Sequence, residues 1–115
     1  MRILIVDDER AVARAVARML RGHETTMTHS VAEAQEAIER GEFDLILSDV
    51  MLNGATGADL HRWVLEHQPE LASRMVFLTG GMTVHVAKDI EATGNQLLWK
   101  PVKADTMRAV VGGFA

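Results

Sequence analysis

Apolar and polar positions alternate along this chain in a way that predicts β-strands separated by α-helices. Short continuous apolar runs are typical of strands buried on both faces, whereas apolar residues spaced three or four positions apart are typical of helices. The predicted strands are residues 3–6, 24–29, 43–47, 75–78 and 96–99. The predicted helices are residues 9–21, 31–40, 58–67, 83–92 and 105–111. We therefore expect an α/β fold in which five strands alternate with five helices.

Several residues predict where these helices begin and end. Ser30 and Glu33 form a capping-box pattern at the start of the second helix. Pro69 is expected to follow the end of the third helix, because the residue before a proline is driven out of the helical conformation. Residues 53–57 have the composition of a loop. The glycines placed to stop helices are Gly22, Gly41 and Gly94.

The polar residues that follow the predicted strands indicate a functional site. Apolar strands connected by helices predict a parallel sheet, and such sheets bind ligands beyond the carboxyl ends of their strands. The residues at those ends are Asp7, Asp8, Asp49, Thr79 and Lys100. The sequence therefore predicts one rim at which carboxylates, a hydroxyl and an ammonium group meet.

Composition limits the classes of function. The 115 residues are 48% hydrophobic, which suits one domain spanning residues 1–115. Sixteen acids against twelve bases give a net charge of −4, which argues against general nucleic-acid binding by this chain. Without cysteines there is neither a disulfide nor a thiolate metal site, and no apolar run is long enough for a bilayer. We expect a cytoplasmic protein without membrane association.

The residues at the predicted rim suit phosphoryl chemistry. Clustered carboxylates raise one another's pKa unless they share a cation, and an all-oxygen site favours a hard divalent ion such as Mg²⁺ or Mn²⁺. A lysine and a bound metal can neutralise phosphoryl oxygens during in-line transfer, and an attacking carboxylate forms an aspartyl phosphate. Taken alone, Asp7 and Asp8 would favour a helix N-cap and its neighbour over a ligand site.

Four motifs in order then resemble the receiver domains of bacterial response regulators over nearly the whole chain. They are Ile-Val-Asp-Asp-Glu at 5–9, Leu-Ser-Asp-Val-Met at 47–51, Leu-Thr-Gly at 78–80 and Trp-Lys-Pro at 99–101. The resemblance implies a doubly wound, five-stranded parallel sheet of flavodoxin-like order 2-1-3-4-5. It also implies that a histidine kinase or histidine phosphotransfer domain phosphorylates the chain, which then switches conformation.

The resemblance assigns a role to each residue of the rim. Asp49 would be the phosphoacceptor, Asp8 would bind Mg²⁺ directly, and Asp7 would bind it through water. The backbone carbonyl of Met51 would be a further metal ligand. Thr79 would turn to hydrogen-bond the phosphoryl group and Lys100 would pair with it. A cis Lys100–Pro101 peptide bond is expected.

Three further features bear on signalling. The family's switch aromatic, three residues before the lysine, is here replaced by Leu97, so the signal is expected to travel through the fourth predicted helix and its preceding loop. By resemblance, Ala11, Arg14 and Ala15 would dock the phosphodonor domain, although the arginines of this helix also suit a solvated face. The Thr-Gly-Gly stretch at 79–81 resembles receivers of hybrid histidine kinases; a stand-alone regulator and a phosphorylation-dependent dimer stay open.

Two other functions compete with this interpretation. A Mg²⁺-dependent phosphohydrolase with an aspartyl-phosphate intermediate would turn over external phosphate esters, but the Asp-x-Asp pattern of haloacid-dehalogenase-like enzymes is missing after the first strand. A binding module that has lost phosphorylation is disfavoured by the complete set of acids, threonine and lysine. The five histidines show no metal-ligand grouping and are expected at the surface, and Trp63 is expected to pack on the sheet.

Overall fold

The computed structural model describes residues 1–115 and consists of a parallel sheet between two layers of helices. The strands are β1 (Arg2–Val6), β2 (Glu24–Thr28), β3 (Leu45–Asp49), β4 (Met51–Leu52), β5 (Ala55–Thr56), β6 (Met75–Thr79) and β7 (Leu97–Trp99). The helices are α1 (Arg10–Met19), α2 (Val31–Arg40), α3 (Gly57–His67), α4 (Pro69–Ala72), α5 (Val84–Thr93) and α6 (Ala104–Gly112). No helix is long and apolar enough to cross a membrane.

The five-stranded sheet confirms the predicted fold class and strand order. Its strands lie in the order β2-β1-β3-β6-β7 and all neighbours are parallel, which corresponds to the order 2-1-3-4-5 among the strands of the main sheet. Parallel neighbours need crossover connections, and the helices between the strands supply them. All the carboxyl ends of these strands consequently lie along one edge.

The alternation of side chains along the strands divides the core into two parts. Leu4, Val6 and Phe77 point to one face, where they pack with residues of α2, α3 and α5. Ile3 and Ile5 point to the other face and pack with residues of α1 and α6. Because successive strand residues point to opposite faces, a strand that is apolar at every position is covered on both sides.

Side-chain caps explain where three of the helices begin. The hydroxyl of Ser30 accepts a hydrogen bond from the Glu33 amide, as expected, but the Glu33 carboxylate accepts from the amide of His29 instead of Ser30. Helix α3 begins with a complete capping box in which Thr56 and Asp59 exchange hydrogen bonds. The hydroxyl of Thr83 caps α5 by accepting a single hydrogen bond from the Val86 amide.

The structure corrects the predicted number of elements. It has six helices instead of five, because α4 begins at Pro69, where a proline is tolerated since the first helical N–H needs no partner. The predicted loop at 53–57 contains half of a small antiparallel hairpin, in which β4 pairs with β5. The third strand of the sheet begins at Leu45, two residues later than predicted, while Phe43 lies half-buried beneath the guanidinium of Arg2.

Candidate functional site

The carboxyl ends of four strands bring the predicted rim residues together. Asp7 follows β1, Asp49 ends β3, Thr79 ends β6 and Lys100 follows β7. Strand pairing aligns these ends, because Asp49 lies opposite Leu78 in the ladder between β3 and β6. The rim predicted from sequence is therefore present in the fold.

The three aspartates at this rim form a group that could hold a metal ion. One carboxylate oxygen from each of Asp7, Asp8 and Asp49 lies within 4.8 Å of the others. Asp7 and Asp49 are 2% and 6% exposed, whereas Asp8 is exposed. Two largely buried carboxylates need a compensating positive charge, and an all-oxygen donor set suits a hard divalent cation.

An open pocket of about 360 Å³ gives solvent access to this group. Asp8, Asp49 and Lys100 line it. The remaining lining residues are Glu9, Met51, Gly80 and Gly81. Asp7 does not line the pocket and is almost fully buried, so the acids differ in their access to a ligand.

The Lys100 ammonium connects two of the aspartates. Its Nζ lies 2.8 Å from Oδ2 of Asp7 and 3.3 Å from Oδ2 of Asp49. The second oxygen of Asp7 accepts a hydrogen bond from the Glu9 amide at 2.9 Å. Both Asp7 oxygens are therefore engaged by the protein, and Lys100 is held between two carboxylates. The Lys100–Pro101 bond is cis, as expected.

The pKa values of Asp49 and Lys100 are both raised, but for different reasons. Burial, reinforced by the nearby Asp7 carboxylate, raises the pKa of Asp49 above its usual 3.8, although Lys100 opposes the shift. Burial alone would lower the pKa of Lys100, but its hydrogen bond to Asp7 and the charges of both carboxylates outweigh that effect and raise it. The protonated, cationic form of Lys100 is thus favoured. Any further positive charge nearby would favour the ionised form of Asp49.

The hydroxyl of Thr79 is directed along the loop that follows β6. It donates to the carbonyl of Gly81 at 3.0 Å and accepts from the Gly81 amide at 3.1 Å. Thr79 itself is fully buried. To donate a hydrogen bond to an anion in the pocket, this hydroxyl would have to give up its bond to the Gly81 carbonyl, so the 79–81 turn and the hydroxyl are coupled.

The switch-aromatic position is filled by a core residue. Leu97 lies opposite Phe77 in the β6–β7 ladder and packs, half-buried, against the cluster beneath α3 and α5. Trp99, which lies opposite Thr79, is 60% exposed. Trp63 packs against the core as expected and stacks on His67.

The three predicted docking residues lie on α1 beside the pocket. Ala11 and Ala15 line an apolar groove of about 440 Å³ whose opposite wall includes Pro101 and Val102, adjoining Lys100. The exposed Arg14 lies outside this groove. The structure therefore brings two of the three residues to one surface and places the arginine at its margin.

One histidine contradicts the expectation that all five lie at the surface. His61 on α3 is only 8% exposed, and its ring lies 6.2 Å from that of Phe77. Burial lowers the pKa of His61 below 6.5, so the neutral ring is favoured. The error arises because one histidine in an amphipathic helix does not reveal which side of the apolar stripe it occupies.

Sequence reasoning missed two contacts that position the rim. Gly57 passes so close to β3 that a Cβ there would lie 2.8 Å from the Asp49 carbonyl and 3.0 Å from the Phe77 ring. The composition of the 53–57 segment suggested only a loop, so this close approach had no signal. His29 places its Nδ1 2.9 Å from the Asp7 carbonyl, and nothing in the sequence pattern indicates that contact.

Comparison with known proteins points to one family. The model of the response regulator receiver domain family matches residues 3–112. The transcriptional regulatory protein DltR of Streptococcus agalactiae is 29% identical over 112 residues, covering 95% of this chain and 49% of DltR. The DNA-binding response regulator MtrA of Mycobacterium leprae is 31% identical, covering 96% of this chain and 49% of MtrA. The chain spans about half the length of these two relatives.

Solved structures agree with the family assignment. A CheY-like response regulator receiver domain from Methanospirillum hungatei superimposes with a TM-score of 0.85 at 25% identity, covering 98% of this chain and 92% of that one. NtrX from Brucella abortus gives a TM-score of 0.86 at 30% identity, covering 98% of this chain and 26% of NtrX. With its five-stranded sheet, its acidic rim and the family match over residues 3–112, the chain belongs to the response regulator receiver domains, the phosphoacceptor modules of two-component signalling.

Proposed function

We propose that Asp49 accepts a phosphoryl group from the phosphohistidine of a histidine kinase or histidine phosphotransfer domain. The observation that carries this proposal is the convergence of three carboxylates within 4.8 Å of one another, with the Lys100 ammonium in contact with Asp7 and Asp49. Of the three acids, Asp49 is the buried one that also lines the open pocket. It is therefore both accessible to a donor and surrounded by groups that can neutralise an added phosphoryl group.

The same residues fit a Mg²⁺ or Mn²⁺ ion. Asp8, Asp49 and the backbone carbonyl of Met51 would be direct ligands, because all three residues line the pocket. Asp7 would act through a water, since its own oxygens already bond to Lys100 and to the Glu9 amide. A bound Mg²⁺ would supply positive charge to the carboxylates and to the phosphoryl oxygens.

In the transfer step, a carboxylate oxygen of Asp49 forms a bond to phosphorus. The nitrogen–phosphorus bond of the donor breaks, and its electron pair leaves with the imidazole nitrogen, which takes up a proton. Lys100 neutralises an equatorial phosphoryl oxygen. Thr79 then exchanges the hydrogen bond that it donates to the Gly81 carbonyl for one to the phosphoryl group.

Movement of Thr79 would carry the signal outward despite the replacement of the switch aromatic by Leu97. Its hydroxyl bonds to both polar backbone groups of Gly81, so releasing them would free the exposed 80–81 turn. That turn leads into α5, which is the fourth helix predicted from sequence. The proposed route is therefore a shift of this loop and of α5.

The donor domain would dock on α1 through Ala11, Arg14 and Ala15. The apolar groove that contains the two alanines adjoins Lys100, so a helix seated there would bring its histidine to the pocket mouth. An Arg14→Glu substitution should slow transfer from a cognate histidine domain while leaving transfer from acetyl phosphate unchanged. Arg21→Glu, beyond the end of α1, is the matched control, and equal rates for both variants would contradict the docking proposal.

Phosphoryl transfer is tested by incubating the protein with acetyl phosphate and Mg²⁺ and measuring its intact mass. The wild type should gain one phosphoryl group that hydroxylamine removes. Asp49→Asn and Asp8→Ala should gain none, the first because the acceptor is lost and the second because a metal ligand is lost. A wild type that binds Mg²⁺ but stays unmodified would contradict the proposed acceptor.

Consumption of acetyl phosphate, measured beside the intact mass, separates the competing functions. A phosphohydrolase would consume acetyl phosphate in many turnovers with little modified protein, and a module that has lost phosphorylation would not react. The relatives described above are named as regulators, which favours the phosphoacceptor. Attachment to a hybrid histidine kinase and a phosphorylation-dependent dimer remain predictions from sequence.

A further inference from the structure

The end of β2 binds both polar backbone groups of Asp7. The Asp7 amide donates to the Thr28 carbonyl at 3.0 Å, which extends the ladder between β1 and β2 by one bond. The Asp7 carbonyl lies 2.9 Å from Nδ1 of His29. Both polar backbone groups of Asp7 are therefore bonded to successive residues of the neighbouring strand end.

The chemistry of this contact fixes the tautomer of His29. A carbonyl oxygen can only accept a hydrogen bond, so Nδ1 must carry the proton and donate it. The His29 backbone is itself held, because its amide donates to the Glu33 carboxylate at 3.1 Å. The ring is thus a half-buried donor on an anchored backbone.

We propose that His29 is a positioning residue that orients the Asp7–Asp8 peptide and so places the Asp8 carboxylate for the metal. This inference rests on the proposed function of the rim. Because the peptide unit is planar, the Asp7 carbonyl and the Asp8 amide rotate together about the flanking single bonds. A hydrogen bond that fixes the carbonyl therefore also fixes the direction in which Asp8 leaves the strand.

The hydrogen bond from His29 to the Asp7 carbonyl affects the direction of the Asp8 side chain more than that of Asp7. The Asp7 side chain is held independently by Lys100 and by the Glu9 amide. Asp8 is exposed, and no hydrogen bond or ion pair within the chain holds its carboxylate. Its direction therefore depends on the backbone before it. Outer contacts that orient a ligand commonly change metal affinity by about tenfold or more when removed.

The experiment compares metal affinity among three substitutions of His29. Binding of Mn²⁺ is followed by the electron paramagnetic resonance of the free ion, and Mg²⁺ is measured by competition. His29→Ala should weaken binding about tenfold, in line with other outer contacts. His29→Asn should restore most of the affinity, because its amide nitrogen stands as many bonds from Cα as Nδ1 does. His29→Gln, which is one bond longer, should bind as weakly as the alanine variant.

His67→Ala is the matched control. Its Nδ1 also lies close to a backbone carbonyl, that of Trp63 at 2.7 Å, but at the far end of α3 from the rim. This variant should bind Mn²⁺ like the wild type. Unfolding in urea is measured for every variant so that affinities are compared between folded proteins.

The outcomes distinguish this inference from the proposed function. Wild type that binds Mn²⁺ and accepts phosphate, together with an unaltered affinity in His29→Ala, would refute the role of His29 alone. Equal affinities for the asparagine and glutamine variants would refute it as well, even if the alanine variant did not fold. Wild type that binds no divalent ion would refute the proposed function itself.

Discussion

Lys100 donates its shorter hydrogen bond to Asp7, at 2.8 Å, and lies 3.3 Å from the proposed phosphoacceptor Asp49. The lysine is therefore a cation shared by two acids, and it lies closer to Asp7, which does not line the pocket. Removing the Lys100 ammonium should leave two largely buried carboxylates without a compensating positive charge. Breaking a buried ion pair in this way lowers the stability of the fold by about 3 kcal/mol or more. We expect Lys100→Met to lower the free energy of unfolding by about that amount in the absence of Mg²⁺.

Urea unfolding with and without Mg²⁺ measures this effect. Added Mg²⁺ should stabilise Lys100→Met more than the wild type, because the ion supplies the missing positive charge. Lys88→Met, on the exposed side of α5, provides the control for loss of a lysine. Equal stability of Lys100→Met and wild type without Mg²⁺ would show that the contacts of Lys100 with Asp7 and Asp49 contribute nothing to the stability of the fold.

Asp49→Asn should stabilise the fold at neutral pH without divalent ions. Burial raises the pKa of Asp49 above 3.8, so the folded state holds the proton more tightly than the unfolded chain. A group shifted upward in this way costs stability as pH rises through the interval between the two values, and the full cost is present at neutral pH. The advantage of Asp49→Asn in urea unfolding should therefore shrink as the pH falls toward about 4. A constant advantage at every pH would contradict the assigned shift.

Gly57→Ala should damage both the fold and the rim. A Cβ at Gly57 would lie 2.8 Å from the Asp49 carbonyl, a backbone atom that cannot turn aside. Overpacking of this kind costs about 1–3 kcal/mol and should displace the end of β3, reducing phosphorylation by acetyl phosphate. Thermal unfolding measures the stability of this variant, and Gly112→Ala, in α6 with free space around it, is the control that should be neutral or stabilising. Similar stabilities for the two variants would argue against the close approach.

We expect His61 to make a contribution to the free energy of unfolding that is lost in acid. Burial lowers its pKa below 6.5 in the folded state, so its contribution is complete above about pH 6.5 and is lost as the pH falls toward the folded value. The free energy of unfolding of wild type relative to His61→Gln should decline between about pH 8 and pH 5. Lys88→Gln should show no such trend relative to wild type. A flat difference for His61→Gln would mean that the ring is protonated at no cost.

Thr79→Ala should separate phosphorylation from signalling. The Thr79 hydroxyl bonds to Gly81 and not to the acids, so its loss should leave Asp49 able to react with acetyl phosphate. Trp99 lies opposite Thr79 across the strands. The change in Trp99 fluorescence that accompanies phosphorylation should therefore be smaller in Thr79→Ala than with Thr79 present. The measurement is made in a Trp63→Phe background, with Thr79→Ser as the control that keeps the hydroxyl. An unchanged signal in the alanine variant would contradict coupling through Thr79.

The sheet and its rim were predictable because the physics that places them is local. Runs such as Ile3 to Val6 are apolar at every position, and the residue after each run must emerge at the carboxyl edge of a parallel sheet. The preference of Lys100 for Asp7 was not predictable, since it depends on which rotamer a long flexible chain adopts among several acids. The burial of His61 and the close approach of Gly57 depend on how α3 seats against β3 and β6, which no local pattern records.

The contact between Lys100 and Asp7 joins residues 93 positions apart, one after the first strand and one after the last. During synthesis, the acids of the rim are complete by residue 49, but their compensating ammonium is added only at residue 100. An incomplete chain therefore carries its acidic cluster without the lysine. Under the proposed function, the charge balance of the rim therefore requires the whole sheet, from its first strand to its last, to be assembled.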